Sequence, residues 1–145
     1  MKKITVILFA AVMVILTAAR FPGGDSPNES NTGIQFFEGN WEEAQALAKA
    51  ENKPIFLDLS TAWCGYCKRM KSKVYTDPDV GQYYNANFVN VSFDAEKGEG
   101  IALAKKYGVR GYPTFVFIMP DGTLAKQTSG YHKPDEFLDL AKSMN

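Results

Sequence analysis

From Ile34 onward the chain alternates between two apolar patterns. Short unbroken runs predict buried strands: IFLDLS behind Pro54, Phe88 to Asp94, and Thr114 to Met119. Between them, longer stretches predict helices: Trp41 to Ala50, Cys64 to about Val74, a shorter one to about Asn85, and Glu99 to Tyr107. A last helix begins at Pro134 and carries Phe137, Leu138, Ala141 and Met144 on one stripe. Ile34 to Phe37 is expected to be a short first strand.

Local signals agree with these boundaries. Asn40 followed by Glu43 predicts a capping box. Asp77-Pro78 predicts an N-cap with proline at the first helical position. Gly108 suits a left-handed helix end. Pro120-Asp121-Gly122 predicts a turn from which Leu124 to Ser129 pairs back as a hairpin. The expected order is β-α-β-α-α-β-α-β-β-α. Helices between strands imply parallel crossovers, and the final hairpin adds antiparallel strands. The fold class is therefore α/β, a central mixed sheet flanked by helices.

The N-terminus follows another pattern. Met1-Lys2-Lys3 is basic, Ile4 to Leu16 is apolar apart from Thr5, and Thr17-Ala18-Ala19 supplies small residues. That layout predicts a secretory signal peptide over residues 1–19, cleaved after Ala19. An uncleaved membrane anchor is the alternative, although the run is short against the ~20 apolar residues of a spanning helix. Residues 20–33 (RFPGGDSPNESNTG) read as a flexible linker. Residues 34–145 are then a single domain, in keeping with a chain of 145 residues.

Composition narrows the function. The formal net charge is zero and no basic stripe calls for nucleic acid. The chain has one histidine, His132, expected on a surface loop with no catalytic role.

The chemistry concentrates in Trp63-Cys64-Gly65-Tyr66-Cys67, which contains both cysteines of the chain. Half a metal site, a structural disulfide and a redox centre are the three readings. Zinc usually takes four N/S ligands, against two cysteines and one distant histidine here, so no metal is expected. A disulfide closing so small a loop stabilises little. The third reading fits best. Two intervening residues at a helix start bring both sulfurs within disulfide reach. Cys64, at the N-terminus, meets free N–H groups and the helix dipole, which favour a thiolate. Cys67 falls one turn in and is expected to be buried, so Cys64 attacks and Cys67 resolves the mixed disulfide. Asp58 lies six residues before Cys64 inside the apolar strand. From the residues alone it is either buried in that strand, where burial would raise its pKa, or an edge-facing, solvated aspartate.

The strand before WCGYC, the later YGVRGYPTFVFI and the turn PDG resemble thioredoxin, in that family's order, over about Ile34 to Met144. KPIFLDLSTAWCGYCKRMKSKVYTDPDV is similar to the exported thioredoxin-like thiol:disulfide interchange domains. The resemblance implies a thioredoxin fold. It implies that Pro113 is a cis-proline beside the disulfide and that the Tyr112 backbone pairs with an extended substrate segment. Trp63, Gly65, Tyr66, Tyr112, Pro113 and Gly130 would line the groove for that segment, with Trp63 expected to be mainly structural. Asp58 matches the buried acid that assists proton transfer at the inner cysteine. Thioredoxin carries a lysine near this acid, and the matching position here is Asn90.

The function so implied is an exported, periplasmic thiol–disulfide oxidoreductase with no cofactor, expected to be a monomer. It would reduce disulfides in other exported proteins, supplied by a membrane thiol electron donor. CGYC also occurs in some periplasmic isomerases, so an isomerase or oxidase is the enzymatic alternative. A redox-silent binding module is the non-enzymatic one.

Overall fold

The computed structural model describes residues 32–144. The expected signal peptide and residues 20–31 of the expected linker lie outside the described residues. Helix α1 (Trp41–Glu51) leads into β1 (Ile55–Ser60). Helix α2 (Gly65–Arg69) runs on into a π-wound segment, Met70–Val74, and α3 (Pro78–Asn87) precedes β2 (Val89–Asp94). Helix α4 (Glu99–Lys106), the strands β3 (Thr114–Ile118) and β4 (Leu124–Ser129), and α5 (Pro134–Lys142) complete the order.

The four strands lie in the order β2-β1-β3-β4. β1 is parallel to β2 and antiparallel to β3, and β3 pairs with β4 as an antiparallel hairpin. This is the expected mixed sheet. Every residue of β1 and β3 is buried, as their unbroken apolar runs require of central strands. β4 is the exposed edge, and its polar sequence LAKQTS fits that place.

Alternation along the strands divides the core in two. Ile55, Leu57 and Leu59 face Val116 and Ile118 with Ala44 and Ala48 of α1 and Leu103 of α4. Phe56, Phe115 and Phe117 face the other way, onto Met70, Val74, Tyr84 of α3 and Phe137 of α5. Phe56 is the hub of that aromatic layer, with ring centroids 4.9 Å from Tyr84, 5.4 Å from Phe117 and 5.6 Å from Phe137. The Tyr84 hydroxyl donates to the Phe137 carbonyl (2.9 Å), tying α3 to α5 beneath it.

The caps form as expected. Asn40 and Glu43 make a reciprocal capping box, Asp77 accepts from the amides of Asp79 and Val80, and Gly108 is left-handed at φ 59°. Three expectations need correction. Ile34 to Phe37 is not a strand. The Phe37 amide donates to the Asn90 carbonyl (2.8 Å), but Gln35 is satisfied by side chains: its amide by Asn85 and its carbonyl by Asn90. With those partners the segment needs no sheet ladder. The helix expected over 64–74 starts one residue later, with Cys64 as its N-cap, and its second half widens to a π-turn closed by the Tyr75 amide on the Met70 carbonyl (2.9 Å). His132 is not a plain surface residue. It is half-buried, its ring 5.9 Å from Phe115 and 6.2 Å from Phe137, so it extends the aromatic layer.

Phe56 is fully buried under rings from α3, α5 and β3. Phe56→Ala should therefore lower unfolding stability by about 3–5 kcal/mol in denaturant melts. A loss under about 1.5 kcal/mol would mean that the layer collapses into the gap and does not depend on this ring.

Candidate active site

β1 ends at Ser60, and after four intervening residues the chain enters α2 at Gly65. Cys64 is extended (φ −70°, ψ 117°), which turns its side chain back over the helix start. Its Sγ accepts from the Cys67 amide at 3.2 Å, so a free N–H of the first turn points at the sulfur. The two cysteines are joined in a disulfide, their Cα atoms 5.3 Å apart. Both cysteines are buried, and Cys64, 5% exposed against 1% for Cys67, is the less buried of the two.

Asp58 lies on β1 on the same face as Phe56, the face covered by the π-turn, α3 and α5. It is fully buried. Its Oδ2 accepts from the Ser92 hydroxyl at 2.8 Å, while Oδ1 has no hydrogen-bond partner among the described residues. Burial drives its carboxyl up from an ordinary 3.8 to about 6. The Ser92 hydroxyl, the positive charge of Lys71, Tyr75 and Ser60 each oppose the rise, in that order. The Tyr75 phenol is held well above its usual range by burial and by the Asp58 charge. A surface pocket of about 470 Å3 is lined by Ile34, Phe36, Lys71, Tyr75, Thr76 and Ser92. Ser92 thus stands between the buried carboxyl and this pocket.

These neighbours correct one expectation. Asn90 pairs with Phe56, one step along the sheet from Asp58, and its amide is engaged by Gln35 and Asn85. The residue across from Asp58 is Ser92. The cation is supplied from elsewhere, by Lys71 on the π-turn. Sequence reading missed Lys71, Ser92 and Tyr75. Ser92 was accessible through the β1–β2 register, which aligns residues 34 apart. Nothing in the sequence announced the π-turn.

The Tyr112–Pro113 bond is cis. Tyr112 lies edge-on to Trp63, with centroids 6.0 Å apart, which brings the loop before β3 against the WCGYC turn. Gly130 donates its amide to the Pro113 carbonyl (2.9 Å) and sits at φ 98°, a conformation that favours glycine. Gly65 opens α2 with no atom within 4 Å of where a Cβ would stand. Tyr66 is 60% exposed and stacks on Tyr131. Trp63 was expected to be mainly structural. It is 66% exposed, held upright by a bond from its indole N–H to Glu96 (3.0 Å), and is a surface group. No cluster of metal-ligating side chains occurs among the described residues.

A disulfide at a helix start, a cis-proline loop packed on its flank and a buried carboxyl in the preceding strand define a thiol–disulfide oxidoreductase of thioredoxin fold. The chain belongs to the thioredoxin-like domain family, whose pattern it matches over residues 41–145. It is 30% identical over 129 residues to the thiol:disulfide interchange protein DsbD of Salmonella typhi, covering 84% of this chain and 22% of that protein. The chain thus spans about a fifth of the length of that curated relative. Among solved structures, it superposes on the reduced C-terminal domain of DsbD from Neisseria meningitidis with a TM-score of 0.61 and 30% identity, over 72% of this chain and 93% of that one. A candidate disulphide-isomerase from Bacteroides thetaiotaomicron gives a TM-score of 0.70 and 43% identity, over 77% and 93%.

The raised Asp58 pKa has a definite sign in stability. The folded chain holds this proton up to about pH 6, whereas the unfolded chain releases it near 3.8. Its contribution is complete below 3.8 and is lost as pH rises through 6. Asp58→Asn does not titrate. Relative to the oxidised wild type it should gain about 2 kcal/mol between pH 4 and pH 8, because each tenfold difference in proton affinity between the folded and unfolded chain is worth about 1.4 kcal/mol and part of the effect is already present at pH 4. Denaturant melts of both proteins at the two pH values measure this, and a difference independent of pH would contradict the burial-driven rise.

Proposed function

We propose that this chain is an exported disulfide reductase, acting in the periplasm on disulfides of other exported proteins. Cys64, as thiolate, attacks a client disulfide. A mixed disulfide forms and one client thiolate leaves. Cys67 then gives its proton to the Asp58 carboxylate and attacks the Cys64 sulfur. The second client thiolate leaves, the Cys64–Cys67 disulfide remains, and two electrons have passed to the client. A membrane thiol donor returns two electrons and restores the dithiol. Trp63, Gly65, Tyr66, Pro113 and Gly130 form the groove for the client strand, and the Tyr112 backbone pairs with it. The protein works as a monomer and needs no cofactor.

The observation that carries this reading is a disulfide at a helix start with a fully buried carboxyl, raised to a pKa of about 6, on the strand that leads to it. A group of that pKa exists in both forms near neutral pH, so it can accept the Cys67 proton and release it again. Export and the reductive direction draw on the signal-like residues 1–19 and on the likeness to the interchange protein DsbD. Among the described residues no helix is long and apolar enough to cross a membrane.

One observation favours a second reading. The 43% identity with the candidate disulphide-isomerase points to the same dithiol reshuffling client disulfides and returning unoxidised, without net electron transfer.

Cys67→Ser should accumulate a mixed disulfide through Cys64, visible as a client adduct on a non-reducing gel, and Cys64→Ser should not. Equal adducts in both variants would contradict the assignment. Equilibrium titration against dithiothreitol should place the wild-type couple toward the thioredoxin end of the fold's range, about −270 mV. A value near the oxidising end, about −120 mV, would make the protein an oxidase. Recovery of scrambled ribonuclease with catalytic amounts of the dithiol and no added reductant would select the isomerase.

A further inference from the structure

The disulfide is flanked by two unlike aromatic ledges. On one, Trp63 leans on Tyr112, and its indole N–H is held by the carboxylate of Glu96. On the other, Tyr66 stacks on Tyr131 with ring centroids 6.4 Å apart and planes 29° from parallel. The guanidinium of Arg69 lies over the Tyr131 ring, 4.6 Å from its centroid. Tyr66 and Arg69 are three residues apart on α2 and share one helix face, and Tyr131 comes from the loop before α5 to touch both. Tyr66 itself lies between the two cysteines, so this ledge begins at the reacting sulfurs.

Arg69 is exposed and forms no ion pair among the described residues, where the ion pairs are Lys53–Glu51 and Lys97–Asp94. A guanidinium lying over a ring still has N–H groups to offer, and two of them can meet a carboxylate with parallel hydrogen bonds. Stacking on Tyr131 also holds the side chain in place, so less rotamer freedom is lost when a ligand binds. The ledge therefore ends in a cation, two residues past Cys67, that pairs with no carboxylate among the described residues.

We propose that the Tyr66–Tyr131–Arg69 ledge selects partners by charge, docking a segment with a carboxylate next to the cysteine that exchanges with Cys64. This rests on the redox function proposed for the cysteine pair. In the exchange the protein dithiol and a peptide disulfide become the protein disulfide and two peptide thiols, and Arg69 takes no part in the bond changes. It orients the incoming strand and sets which disulfides are met productively. The Trp63 ledge carries an acid, Glu96, so the two sides of the disulfide differ in sign and a partner with one acidic flank has a preferred direction across them.

The test uses three symmetric peptide disulfides that differ only in the residue beside cysteine, Glu, Gln or Lys. Each is mixed with the reduced full-length protein, quenched with acid and separated to give a second-order rate constant. The wild type should reduce the Glu peptide faster than the Lys peptide by about two- to fivefold, the range of one exposed ion pair, and the ratio should fall toward one as salt is raised. Arg69→Gln should bring the ratio near one, and Arg69→Glu should invert it. Lys49→Gln, a charge removed from α1, should keep the wild-type ratio. If Arg69→Gln and Arg69→Glu both keep the wild-type ratio, the ledge does not select by charge and the proposal falls. If the wild type reduces none of the three peptides, the redox function beneath it falls first. Because the ratio compares peptides on one protein, a general loss of folding or potential in a variant leaves it unmoved.

Discussion

Asp58 stands in the middle of β1, with β2 on one side and β3 on the other, fully buried and held at one oxygen by Ser92. A carboxylate in that position is costly, and the cost is what keeps the group protonatable near pH 6. The neighbours adjust the value. With no partner at all the charged form would be disfavoured further, and a close ion pair would hold the group ionised at all useful pH. Two hydroxyls, one cation and one phenol lower the pKa without returning it to the usual range. The chemistry proposed for the cysteines needs that intermediate condition.

The rest of the fold holds the arrangement still. The aromatic layer around Phe56 packs the face on which Asp58 lies, and the π-turn places Lys71 and Tyr75 toward it. The same continuous stretch begins with Cys64 and Cys67, so the helix that carries the disulfide also carries the cation that tunes the acid. Packing, backbone winding and electrostatics are thus coupled along one continuous stretch of chain. On the outer side, two exposed aromatics, Trp63 and Tyr66, rise beside the sulfurs, each held by a polar or aromatic contact to a different loop.

Much of this was legible in the sequence. The unbroken run IFLDLS reads as a central strand because a strand buried on both faces has no polar alternation to show. Asn40 with Glu43, and Asp77 with Pro78, mark helix starts through local hydrogen bonds that depend on few distant contacts. The cysteine pair announces itself by spacing. What was not legible depends on tertiary partners. Ile34 to Phe37 has strand-like residues, but the side chains of Asn85 and Asn90 take its hydrogen bonds. Lys71 looks like any exposed helical lysine until the π-turn brings it within electrostatic reach of Asp58. Asn90 aligned with the expected lysine position, yet the strand register sets it across from Phe56. Trp63 is exposed and tied to Glu96, a residue from the loop after β2 that no local pattern connects to it.

The protonation of Asp58, on which the proposed relay stands, can be read directly. The side-chain carboxyl carbon of Asp58, labelled with 13C and assigned through its loss in Asp58→Asn, should titrate in the oxidised protein with a midpoint near 6. A midpoint in the ordinary aspartate range, near 3.8, would mean that water or a stronger partner reaches the carboxylate, and the proton relay built on its burial would fail.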